Sequence, residues 1–68
     1  MMIQDVQEGQ LVTSVGHVSE RLSGTQIPAG TVGIVTHKGD EEVCVEFELD
    51  ENLMTQPILF WPMYLRPA

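Results

Sequence analysis

The chain has little of most things that would name a function. Among its 68 residues it carries one cysteine, three basic residues and two histidines, and no apolar run approaches the length of a membrane span. Each shortage excludes something. With Cys44 alone, no disulfide forms within the chain. His17, His37 and Cys44 are too few and too scattered for a zinc site, so no metal or other cofactor is expected. Arg21, Lys38 and Arg66 against ten carboxylates leave a formal charge of −7. Nucleic acid is held by a Lys/Arg surface that displaces counterions, so DNA and RNA are excluded as partners, and an anionic membrane surface with them. The amino-terminal MMIQDVQEGQ has neither the basic nor the apolar region of a signal peptide. Together with the lone free thiol, this predicts a cytoplasmic protein.

Helical periodicity is missing too, because glycine or proline interrupts every window that might carry it. Strand signals recur in its place. Gln10 to Val15 reads as a first strand, followed by a long arm from Gly16 to Pro28 in which Val18, Leu22 and Ile27 tuck onto the core. Thr31 to Thr36 and Glu42 to Leu49 form a hairpin about Lys38-Gly39-Asp40. Thr55 to Trp61 is a fourth strand, Pro62 to Leu65 a single helical turn, and Arg66 begins a short fifth strand. Alternation places Val43, Val45, Phe47 and Leu49 inside and Glu42, Cys44, Glu46 and Glu48 outside. Gly30 and Gly33 mark a sharp bend or a positive φ. Strand, long arm, meander, one-turn helix and short strand is the order of an SH3-like barrel. The predicted fold is therefore all-β: one five-stranded small barrel spanning residues 1–68, with a short 3-10 turn near the carboxyl end. A core this small supplies only about 3–5 kcal/mol, and with disulfide and metal excluded, self-association is the remaining support. A homo-oligomer is expected.

The pattern G-T-V-G-I-V, then V-C-V-E-F, then an apolar strand ending in L-R-P, resembles small bacterial SH3-like barrel domains of unknown function, of the DUF4926 type. That resemblance covers residues 28–67 and implies a fold with little chemistry. A looser outline similarity links Ile58-Leu59-Phe60-Trp61-Pro62 and Leu65 to the type II, trimethoprim-resistant dihydrofolate reductases, whose oligomers share a central pore. Here Leu59 stands in place of their ligand-contacting amide, Trp61 in place of a tyrosine, and no lysine lines a pore. What that similarity implies is an oligomer, and an origin in a mobile gene cassette, without the reductase chemistry.

Two features stand out as candidate contact surfaces. Asp40, Glu41, Glu42, Glu46, Glu48, Asp50 and Glu51 crowd into one stretch. Glu42, Glu46, Glu48 and Asp50 would form an acidic face that either solubilises the strand or docks a basic protein partner. The segment Pro57 to Tyr64 is apolar on both faces, while a barrel has one inside. Either Ile58 and Phe60 or Leu59 and Trp61 must point outward, and aromatic residues and Met favour interface cores. Phe60, Trp61, Met63 and Tyr64 are the expected binding residues. No catalytic residue is assigned: neither histidine adjoins a nucleophile motif, and Cys44 sits between carboxylates that blunt a thiolate. The function read from these residues is a non-catalytic interaction module. The alternatives are an acidic inhibitor or antitoxin-like protein masking a basic partner, and a pore-type small-molecule binder.

Overall fold

The computed structural model describes residues 1–21 and 23–68; Leu22, expected against the core, lies outside the described residues. The chain is all-β. In order it forms β1 (Leu11–Ser14), β2 (Val18–Ser19), β3 (Gln26–Ile27), β4 (Val32–Lys38), β5 (Val43–Asp50), β6 (Leu53–Met54), β7 (Ile58–Phe60) and β8 (Leu65–Pro67). The expected 3-10 turn is present at Pro62–Tyr64, where Pro62 begins it with a preset φ. A second 3-10 turn, at Ile3–Asp5, has no counterpart in the sequence reading.

The five expected strands run in the order β8-β1-β4-β5-β7, every neighbouring pair antiparallel. β6 takes the far end of the same β5 edge, and β2 with β3 forms a separate two-stranded arm. Among the described residues no ladder joins β7 to β8, so the sheet curls around its core without closing by hydrogen bonds. One cluster fills the inside: Val6, Val12, Ile27, Val35, Val43, Val45, Phe47, Phe60 and Leu65, with Val18 and Ile58 half-buried at its margin. The arm joins this core through Ile27 and returns to β1 at Gly30, whose φ of +83° favours a residue without a Cβ. The Gly30 N–H donates to the Ser14 carbonyl at 2.8 Å, and the Ser14 N–H to the Thr31 carbonyl at 3.0 Å.

The alternation along β5 holds for Val43, Val45 and Phe47, all fully buried, and fails at Leu49, which is 39% exposed. Leu49 was expected inside. The β4–β5 ladder ends at Gly33 opposite Phe47, and the β5–β6 register shifts between Glu48 and Asp50. Beyond Phe47 nothing from β4 covers the strand, and an irregularity there breaks the strict two-residue period. Gly33 has no positive φ; its role is close approach, because a Cβ there would lie 2.7 Å from Val45 Cγ1.

Candidate functional site

Pairing with β5 decides which face of β7 is buried. Phe60 lies opposite Val43 and Ile58 opposite Val45, while Leu59 lies opposite Cys44. Residues opposite one another share a face, so Ile58 and Phe60 follow the buried valines and Leu59 follows Cys44 outward. Phe60 is only 4% exposed, its ring 5.1 Å from that of Phe47. It belongs to the core and leaves the expected binding set. Leu59 takes its place at 67% exposed, beside Trp61 at 51%, Met63 at 69% and Tyr64 at 48%.

The turn that presents three of these side chains is anchored from below. Pro62 and Leu65 are buried, and the Met1 nitrogen donates to the carbonyl oxygens of both at 2.9 Å. The Tyr64 ring meets Phe60 edge-on at 6.4 Å, which holds it against the core while leaving half its surface free. Leu59, Trp61 and Tyr64 line a depression of about 470 Å³ with His17 and Val18. It continues between β2 and β7 as a space of about 690 Å³, lined by Val18 to Arg21 on one side and Ile58 to Phe60 on the other. A further hollow of about 420 Å³, reaching Leu49, Leu53 and Met54, shares Glu20 and Ile58 with it. The three hollows adjoin one another through these shared residues. The arm is shaped by its own polar contacts: His17 Nε2 lies 2.6 Å from Gln26 Oε1, and Glu20 Oε2 accepts from the Ser23 N–H and hydroxyl at 2.7 Å.

The acidic face is on the outside of β5 as its alternation implied. Glu42 and Glu46 are half-buried and Glu48 and Asp50 exposed, with Glu46 opposite Ile34 and Glu48 opposite Met54. Among the described residues none of these four carboxylates is at ion-pair distance from a cation; elsewhere the Glu8 carboxylate lies 3.5 Å from His37 Nδ1. Cys44 lies opposite His37 in the β4–β5 ladder, yet no hydrogen bond joins thiol and imidazole among the described residues, and the ring is held at Glu8 instead. His37 and Glu8 are both well exposed, so nothing there shields a nucleophile from water.

The exposure of Leu59 has a direct consequence for stability. Leu59→Ser removes an apolar group that the single chain leaves in water, so at a dilution that keeps the chain monomeric it is expected to shift unfolding free energy by no more than about 0.5 kcal/mol in a urea titration. A loss of several kcal/mol would place Leu59 in the core and overturn the β7 register. The chain was compared with protein-family models, curated proteins and solved structures, and none matches it.

Proposed function

We propose that this chain is a non-catalytic interaction module that self-associates, covering Leu59, Trp61, Met63 and Tyr64 with a second copy. The observation that carries this reading is the exposure of those four large apolar side chains within six residues, on an anchored turn and the strand before it. At the side-chain areas usual for such residues they present on the order of 500 Å² to water, near the upper range for an idle patch on a monomer. Two such faces make the apolar centre of a standard two-fold interface. A domain of this size, without disulfide or metal, gains most from that burial.

The charge gives the association a signature. Two copies at −7 repel, so added salt strengthens the contact, opposite to the effect on a complex with a basic protein. Trp61→Glu combined with Met63→Glu is expected to yield a monomer that still melts cooperatively, at a lower temperature than the parent because the support from association is lost. Light scattering on the eluting peak reads the mass, and a thermal melt reads the fold. A double variant that keeps the wild-type oligomer mass would sink the proposal.

A second reading is favoured by Glu46 and Glu48, which lie on one outward face with no cation at ion-pair distance among the described residues. In it the acidic strand masks a basic protein, and Glu46→Lys with Glu48→Lys abolishes a salt-sensitive complex while leaving self-association intact. A pore-type reductase has less behind it: Leu59 would offer a hydrocarbon where a folate or dinucleotide needs a hydrogen bond.

A further inference from the structure

One edge of β7 is open, and the neighbouring ladders fix which backbone groups stand on it. The Val35 N–H donates to the Gln10 carbonyl at 3.0 Å and the Val35 carbonyl accepts from the Gly9 N–H at 2.7 Å, so both groups turn away from β5. Opposite residues of an antiparallel pair exchange both bonds or neither. Val45, opposite Val35, therefore turns its groups towards β7, where Ile58 lies opposite. Phe47, two residues on, keeps the same parity: its N–H donates to Thr55 Oγ1 at 3.0 Å, and its carbonyl accepts from the Thr55 N–H at 2.8 Å. Leu59 follows Ile58, so its N–H and carbonyl turn away from β5, and among the described residues neither has a partner. Trp61 and Pro57, two residues to either side of Leu59, share its parity, Trp61 with extended backbone at φ −87° and ψ 132°. The Trp61 carbonyl is taken by the Tyr64 N–H at 3.0 Å, which leaves the Trp61 N–H on the edge. Pro57 offers a carbonyl and has no N–H. Unpaired strand edges are templates for another strand.

We propose that a second copy adds to this edge, β7 antiparallel to β7 about a two-fold axis at Leu59, joining the two sheets into one. The proposal rests on the self-association reading and gives that contact its symmetry and register. The edge is self-complementary. With Leu59 opposite the second copy's Leu59, each Leu59 N–H meets the other's carbonyl, and Trp61 falls opposite Pro57 in both directions. There the Trp61 N–H meets the Pro57 carbonyl, while the donor that Pro57 lacks falls against the carbonyl that Tyr64 already occupies. A register moved by two residues sets a Leu59 group against one of those two gaps instead. A strand from another protein, with its full set of groups, would leave a carbonyl facing Pro57 and an N–H facing the occupied Trp61 carbonyl. On the outer face Leu59 lies beside its symmetry mate, about 5.5 Å away at Cα, and Trp61 lies beside the second copy's exposed Pro57. The two β5 strands stand three spacings apart, about 14 Å, which exceeds a Debye length at physiological salt, so their carboxylates permit the pairing. An isologous contact uses the edge up and closes at two chains.

The test combines light scattering with magnetic resonance on the isotope-labelled chain. Expected are a mass of two chains and protection of the Leu59 and Trp61 amides at least about tenfold above that in the Trp61→Glu, Met63→Glu double variant. A mixture of labelled and unlabelled chains is expected to show a contact between copies from the Ile58 Hα to the Phe60 Hα. The proposed register makes these two residues a pair without hydrogen bonds, where backbones approach most closely. Leu59→Pro removes the donor from the open edge and no bond to β5, so it is expected to give a monomer, with a thermal melt to read its fold. Should that variant fail to fold, the exchange rates and the contact between copies still decide. A dimer whose Leu59 and Trp61 amides exchange as fast as in the double variant overturns the strand pairing alone. So does a dimer without the Ile58–Phe60 contact, or a folded Leu59→Pro chain that keeps the mass of two. A monomer at every concentration overturns self-association and the pairing with it.

Discussion

Replacing Phe47 by alanine is expected to remove between about a third and all of the chain's stability. Phe47 is fully buried at the centre of β5, opposite Gly33, and its ring packs on Phe60 at 5.1 Å. Truncating a buried phenylalanine costs about 3–5 kcal/mol, the lost transfer energy plus the cavity it leaves. A chain of this length has a total stability of only about 3–10 kcal/mol at the usual per-residue value. The substitution therefore removes a third of that stability at the least, and all of it at the low end. Circular dichroism with a urea titration reads the outcome, with a midpoint lowered by at least about a third, or loss of the cooperative transition, expected. A midpoint close to that of the parent chain would mean that the core is not organised around this ring.

Gly33 carries the second large effect, and its sign runs against intrinsic strand preference. Alanine or valine suits a strand better than glycine does in general. Here a Cβ would lie 2.7 Å from Val45 Cγ1, 2.9 Å from Phe47 Cδ1 and 3.0 Å from the Glu46 carbonyl oxygen. Two of those atoms belong to fully buried side chains and the third to the backbone, so none can swing aside. Gly33→Ala is expected to cost about 1–3 kcal/mol through overpacking, and Gly33→Val to prevent folding. Gly16 supplies the comparison, because a Cβ there meets nothing within 4 Å and its φ is not positive. Equal urea midpoints for Gly33→Ala and Gly16→Ala would show that β4 and β5 do not approach each other this closely.

Gly33 also illustrates what the sequence carries and what it does not. The glycine marks a special place in the strand, but whether it serves a positive φ or a close approach depends on what stands opposite. That partner is fourteen residues away. The same limit applies to β7. Its residues are apolar on both sides, so nothing within Ile58–Phe60 says which side is inside; the register against Val43 and Val45 decides it. Strict alternation in β5 let that strand be read directly, and it was misread only at Leu49, where the β4 cover stops. The two-residue strands β2, β3 and β6 are too short to leave a period at all. Val6 carries no strand signal for a different reason: it is fully buried but lies outside any strand, brought to the core as the following residues bond to β4. The Gly9 N–H donates to the Val35 carbonyl at 2.7 Å, and the Val35 N–H to the Gln10 carbonyl at 3.0 Å.

The acidic strand and the apolar turn make opposite demands on ionic strength. Contacts between copies at −7 are opposed by long-range repulsion, whereas a basic protein partner would be drawn in by the same field. The proposed cover for the exposed face of Leu59, Trp61, Met63 and Tyr64 is a second copy of the chain. Its most direct test is the mass in solution, by size-exclusion chromatography with light scattering at micromolar concentration and at low and high salt. A mass of at least two chains, increasing or holding as salt rises, is expected. A clean monomer at every salt concentration contradicts it.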